Sequence, residues 1–199
     1  MPMSQKSTPG NDTDPQADER QIAELVLQLS RAAYAECPAG GPTQAQWQAL
    51  RFFARANRFS RNVTGFAEFH ATTRGTASQT VKTLVEHGYL ERIRSEKDGR
   101  CTRFDLTSLA RELLENDPLE QVVRSAGKLS TTHRAQTASC LKEIMITLAR
   151  DKARPMTGVC TLCGHLETSG DGTYRCGLMR ESLSKNELQE LCVRYQPAA

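Results

Sequence analysis

Val63 to Thr107 reads VTGFAEFHATTRGTASQTVKTLVEHGYLERIRSEKDGRCTRFDLT, and the order of its patterns decides the fold. Val63 to His70 is a short amphipathic segment carrying Phe66, Ala67 and Phe69. A second helical pattern opens near Thr76 and runs to His87. Its Val81, Leu84 and Val85 recur at the i, i+3, i+4 spacing of one buried face. Ser78, Gln79 and Lys82 fall on the opposite face, with Arg74 and Thr76 at the N-terminal end. Gly88 stops the pattern as a C′ glycine does. Leu90 to Ile93 starts a strand, and Thr102 to Leu106 returns as its partner. Between them Lys97-Asp98-Gly99-Arg100 predicts a hairpin turn, because Asp-Gly tolerates the positive φ such a turn needs. The expected fold is mainly α with a small β wing, a winged helix-turn-helix over 43–107.

Particular residues carry a family resemblance. They are Gln46-Trp47 with Leu50, the run Leu84-Val85-Glu86-His87-Gly88-Tyr89-Leu90, the Asp98-Gly99-Arg100 wing tip, and the closing Leu106-Thr107. Together they resemble the MarR family of bacterial transcription regulators over roughly the first three quarters of the chain. The resemblance implies a second helix presented to the major groove and a wing set against phosphates. The candidate DNA-binding residues are Arg74, Thr76, Ser78, Gln79 and Lys82 on the helix, and Arg94, Lys97 and Arg100 on the wing, where Arg92 and Arg103 add charge. Winged helices also serve as protein-docking modules, so docking is the competing expectation. Charge favours DNA: from Thr43 to Thr107 eleven Arg and Lys face six Asp and Glu, whereas the whole chain is only +3.

With 199 residues, 38% hydrophobic and 25% charged, the chain has room for one domain and a small appendage. No apolar run reaches membrane-span length and the N-terminus has no apolar signal core, so the expected location is cytoplasmic. No catalytic His/Asp pair or phosphate loop is visible, and no enzyme is expected. Residues 1–17, rich in Ser, Thr, Pro, Asn and Asp, are expected to be a disordered tail. A helix over 18–36 carries Ile22, Leu25, Val26, Leu29 and Ala33 in one stripe, ended by Cys37-Pro38-Ala39-Gly40-Gly41-Pro42. Thr43 with Gln46 reads as a capping box for a helix Gln44 to Ala56, burying Trp47, Leu50, Phe53 and Ala54. Arg51, Arg55, Arg58 and Arg61 line its other side and the loop after it, suited to steering DNA or to keeping that face solvated.

Past the wing, Thr107 caps a helix with Leu109, Leu113 and Leu114, and Pro118 interrupts it before Leu119, Val122 and Val123. A further helix over 131–151 carries Leu141, Ile144, Met145 and Leu148. A small winged domain cannot cover all these apolar stripes. The resemblance assigns 18–36 and 107–151 to dimerisation, within a DNA-binding and dimerisation domain over 18–153. The expected partners are a second copy of the chain and a pseudo-palindromic duplex.

Residues 154–199 form the expected appendage, a small cysteine-rich module. Cys160 and Cys163 make a C-x2-C pair, Cys176 follows after twelve residues and Cys192 after fifteen more. The segment has too few apolar residues to fold without a staple, and a metal centre would supply one. The competing reading is four free thiols packing as small hydrophobes. The polar loop Thr168 to Thr173 folds Cys176 back toward the pair, and a short helix from Ser182 or Ser184 through Leu188 and Leu191 delivers Cys192. Irregular four-cysteine spacing favours an iron–sulfur cluster, with structural Zn2+ as the alternative and His165 as a spare nitrogen ligand. Cys37, Cys101 and Cys140 read as ordinary residues, and His70, His87 and His133 as structural or surface. The expected function is a dimeric, sequence-specific DNA-binding regulator whose four-cysteine centre senses redox state, iron or oxygen, or braces the fold. The alternative is a metalloprotein whose winged helix docks to a protein.

Overall fold

The computed structural model describes residues 15–34, 41–94, 102–151, 155–170 and 172–198. Along them run α1 (Pro15–Ala32), α2 (Gln44–Arg55), α3 (Val63–His70), α4 (Arg74–Glu86), β1 (Leu90–Arg94), β2 (Thr102–Leu106), α5 (Ser108–Glu115), α6 (Leu119–Gly127) and α7 (Thr131–Asp151). The cysteine-rich segment adds β3 (Gly158–Val159), β4 (Leu166–Thr168), β5 (Tyr174–Cys176), β6 (Glu181–Leu183) and β7 (Leu191–Cys192). The tail expected through residue 17 gives way at Pro15, where α1 already starts. Proline is favoured there because its missing N–H is one that a helix leaves unpaired anyway. The rest of that tail and the turn Lys97-Asp98-Gly99-Arg100 lie outside the described residues. α1 ends at Ala32, short of residue 36.

The head is built on α2. Its capping box forms as the sequence predicts: the Gln46 side chain accepts from the Thr43 N–H at 2.7 Å, and the Thr43 hydroxyl accepts from the Gln46 N–H at 3.4 Å. Trp47, Leu50 and Phe53 are buried, but Ala54 is exposed, and Ala49 and Phe52 are buried instead. The reason is packing from two sides. Phe52 meets Phe53, Phe66 and Phe69 at ring separations of 5.2, 5.6 and 5.3 Å, while Leu191 and Val193 from the far end of the chain join the same core. Ala77, Val81 and Leu84 of α4 and Phe104 and Leu106 of β2 complete it.

β1 and β2 pair antiparallel from Leu90↔Leu106 to Arg94↔Thr102. Gly88 sits at φ 74°, so the chain turns from α4 into β1 where a side chain would strain. The Thr107 hydroxyl donates to the Gly88 carbonyl at 2.7 Å and accepts from the Ala110 N–H at 3.3 Å, closing the wing and capping α5 together. Pro118 separates α5 from α6. Ile22, Leu25, Val26 and Leu29 of α1 and Leu141, Ile144, Met145 and Leu148 of α7 are exposed on the single chain. Among the described residues no helix is long and apolar enough to cross a membrane.

In the cysteine-rich segment β4, β5 and β6 form one antiparallel sheet, and β3 pairs with β7. The expected helix from Ser182 to Leu191 is not there. β6 takes its start, a 3-10 turn covers Asn186–Gln189, and β7 carries Cys192. The Glu187 carboxylate accepts from the Ser184 N–H at 2.8 Å, across the start of this turn.

Two consequences can be measured. Leu191→Ala, which opens a hole in the head core from the other end of the chain, should lower unfolding free energy by about 2–4 kcal/mol. Chemical denaturation followed on Trp47 fluorescence checks this, and an unchanged midpoint would contradict it. His70 lies against Phe52, Phe66 and Phe69, and its buried Nε2 has no hydrogen-bond partner. Burial pushes its pKa below the usual imidazole range, and a backbone hydrogen bond with Gln48 only partly opposes that. Below that range the unfolded chain takes up a proton that the folded chain resists, so stability falls toward acid pH. His70→Leu should flatten the loss between about pH 7 and pH 5 in the same denaturation experiment.

Candidate nucleic-acid interface and cysteine pocket

Thr73 starts α4, its hydroxyl accepting from the Thr76 N–H at 3.1 Å. Because Ala77, Val81 and Leu84 point into the core, Arg74, Thr76, Ser78, Gln79 and Lys82 are all exposed on one side of α4. The Thr76 and Thr73 hydroxyls share a 2.9 Å hydrogen bond. Lys82 pairs with Glu86 at 3.6 Å, an exposed i,i+4 contact that water screens and that breaks at little cost. The Thr80 and Thr83 hydroxyls donate back to the Thr76 and Gln79 carbonyls.

Beside the start of α4 runs a surface groove lined by Asn62, Thr64, Arg74, Arg92, Thr102 and Phe104. Asn62 caps α3 by accepting from the Gly65 N–H at 2.9 Å. Arg74 from the helix and Arg92 from the wing therefore line one depression. The sequence offered the Asn62 cap as a signal, an Asn before an apolar helical run, but Thr64 carried none. Arg94 is placed on β1 opposite Thr102, whereas Lys97 and Arg100 lie outside the described residues.

The arginines after Trp47 serve neither of the two uses open in the sequence, with the exception of exposed Arg55. Arg51 is clamped to Asp117 and donates to the Tyr34 hydroxyl at 2.9 Å. Arg58 pairs with Glu187 at 2.8 Å and reaches the Ser182 carbonyl. Arg61 pairs with Asp105 at 3.2 Å and Glu190 at 3.5 Å, and donates to the Ala56 carbonyl at 2.6 Å. Arg58 and Arg61 fasten the corner after α2 to the wing and to the cysteine-rich segment, and Arg51 ties α2 to Tyr34 and to the α5–α6 junction.

All four candidate cysteines line one pocket, together with Asn57, Phe59 and His165. The C-x2-C pair closes a turn in which the Cys163 N–H donates to the Cys160 carbonyl at 3.0 Å. The β4–β5 hairpin sets Cys176 opposite Leu166, as the polar loop predicts. Cys192 arrives on β7, and its sulfur accepts from the Arg194 N–H at 3.4 Å. None of the four is in a disulfide. Among the described residues no three His, Cys, Asp or Glu side chains are gathered as a single metal ion would hold them. Burial pushes the Cys160 thiol up to about 11, with further repulsion from Cys192, Cys163, Cys176 and Glu187. Cys140 is exposed on α7, while Cys37 and Cys101 lie outside the described residues. Iodoacetamide at neutral pH should therefore label Cys140 well before Cys160, since the thiolate is the reactive form. Peptide mapping over time reads the order, and equal rates would contradict it.

A sequence model of the MarR family matches residues 41–100, the stretch from before α2 to beyond β1. No curated protein matches the chain. Solved structures resemble it over most of its length. A MarR transcriptional regulator from Methanosarcina mazei Go1 covers 68% of this chain and 98% of its own, with 19% identity and a TM-score of 0.54. FabT of Streptococcus pneumoniae, solved in complex with DNA, covers 69% and 99%, with 18% identity and a TM-score of 0.53. The S. aureus MepR–DNA complex covers 70% and 99%, with 17% identity and a TM-score of 0.50. At these identities the likeness establishes the fold, a MarR-like winged helix.

Proposed function

We propose that this chain is a cytoplasmic, sequence-specific DNA-binding transcription regulator of the MarR type, which acts by binding and catalyses nothing. The observation that carries the reading is the exposed polar side of α4, with Arg74 and Arg92 lining a groove next to it. Ser78 and Gln79 suit base edges, because hydroxyl and amide groups match the donor and acceptor pattern of the major groove. Arg74, Arg92 and Lys82, with Arg94, Lys97 and Arg100 of the wing, suit phosphates. FabT and MepR, which share the fold, are each solved on DNA.

The regulator works as a two-fold dimer on a pseudo-palindromic site. Support comes from the apolar side chains of α1 and α7 that the single chain leaves in water, such as Met145 at 65% exposure. A second copy covers them and sets two recognition helices about one DNA turn apart. The four-cysteine segment is the sensing part, responding to redox state or iron.

Selection from a randomised duplex library tests the reading. The wild type should enrich a palindromic sequence, and its affinity for that duplex should fall steeply with added salt as counterions are released. Arg74→Ala should weaken binding to all duplexes and reduce the salt slope by about one. Gln79→Ala should cost about 1–3 kcal/mol and relax the preference at one position of each half-site. No enrichment, or binding indifferent to salt, would overturn the reading in favour of a protein-docking head.

A further inference from the structure

Asn57 is fully buried, yet only half of its side chain has a partner. Its Oδ1 accepts from the Ser60 N–H at 3.0 Å. Turning the amide over would set its NH2 against that N–H, which the Asn57 main-chain carbonyl also accepts at 2.9 Å, so the oxygen faces Ser60 and the NH2 group points away. The Nδ2 so placed is buried with no hydrogen-bond partner, and Asn57 lines the pocket shared by the four thiols. A buried amide donor left unpaired costs about 1–3 kcal/mol, so the position asks for an acceptor in that pocket.

The remaining walls narrow what the acceptor is. Phe59, Leu166 and Leu183 make them largely apolar, and the thiols come from the C-x2-C turn, β5 and β7 around the space. A single zinc ion needs four sulfurs drawn to about 2.3 Å from one point. An iron–sulfur cluster brings atoms of its own to fill the space between cysteines, and its sulfurs accept N–H donors. The Arg194 N–H already donates to the Cys192 sulfur at 3.4 Å.

We propose that Cys160, Cys163, Cys176 and Cys192 hold an iron–sulfur cluster in this pocket, and that Asn57 donates a hydrogen bond to its sulfur and ties loading of the pocket to the DNA-reading head. Asn57 is a positioning residue on the head side. Its N–H donates to the Leu191 carbonyl at 2.8 Å, and the Ser60 hydroxyl accepts from the Val193 N–H at 3.1 Å. Cys192 lies between these two anchors. On the other side, Asn62 follows at once as the cap of α3, and the Arg61 carbonyl accepts from the Phe104 N–H of the wing at 2.9 Å. Loading therefore orders the corner 57–62 and with it the start of the helix-turn-helix. This regulation rests on the DNA-binding reading; the cluster site does not.

The test uses full-length protein purified without oxygen. Iron and acid-labile sulfide are assayed, the reduction potential is measured, and amide hydrogen exchange is mapped with and without a chelator. Iron with sulfide is expected, together with slower exchange over 57–62 in the loaded form and about tenfold different affinity of the two forms for a library-selected duplex. Asn57→Asp keeps the acceptor for Ser60 and removes the donor. It should lower the potential, weaken cluster retention and erase the difference in affinity. Should burying that carboxylate unfold the chain by circular dichroism, Asn57→Ala, which removes the donor and leaves the Ser60 N–H its bond to the main-chain carbonyl of residue 57, takes its place with the same expectation. Zinc alone, or no metal, would overturn the cluster. An unchanged potential in the folded variant, or exchange over 57–62 blind to loading, would overturn the role of Asn57. If exchange responds but neither form binds any duplex, the DNA reading fails and the cluster site stands.

Discussion

The corner after α2 depends on two hydrogen bonds to main-chain groups of Leu191 and Val193, at β7 and just past it near the far end of the chain. The Leu191 carbonyl and the Val193 N–H are both taken up by the head, by the Asn57 N–H and the Ser60 hydroxyl. Groups this deeply buried must be paired, so the corner has its shape only while β7 is in place. Leu191 and Val193 then fill the head core from that side. Cys192, held between them, lines the thiol pocket. One short strand is thus part of the head core and part of the cysteine-rich segment at once.

The charges divide along the same line. Arg51, Arg58 and Arg61 are fastened to Asp117, Glu187, Asp105 and Glu190, and they hold parts of the fold together. Arg74 and Arg92 line a surface groove on the side where α4 shows its polar residues. A count of basic residues over Thr43 to Thr107 mixes these two populations. What matters for a duplex is the second, because a paired and half-buried guanidinium offers little to a phosphate.

Local rules made much of the head legible. The Thr43/Gln46 box, the stripe of Val81 and Leu84, the Gly88 stop and the Thr107 cap each depend on residues within a few positions, and each formed. The failures were at places decided at long range. Phe52 is buried in place of Ala54 because Phe66 and Phe69 of α3 cover that side of α2. Arg58 and Arg61 found acids far along the chain. Asn57 and Ser60 look like loop residues, and only a partner 133 positions away buries Ser60 against Val193. In the cysteine-rich segment, strands of two or three residues are too short for periodicity to reveal, so a helix was expected where β6 and β7 lie. The four cysteines singled out by their spacing line one pocket, and the Asn57 amide that lines it with them carries no sequence signal.

The central claim is that the exposed side of α4 enters a duplex groove while β7 keeps the corner behind it in shape. A structure of the full chain on a selected duplex tests this most directly. The account predicts Ser78 and Gln79 against base edges in successive major grooves, with Leu191 still bonded to Asn57. A complex in which α4 faces away from the duplex, or in which that side of α4 is covered by protein, would contradict it.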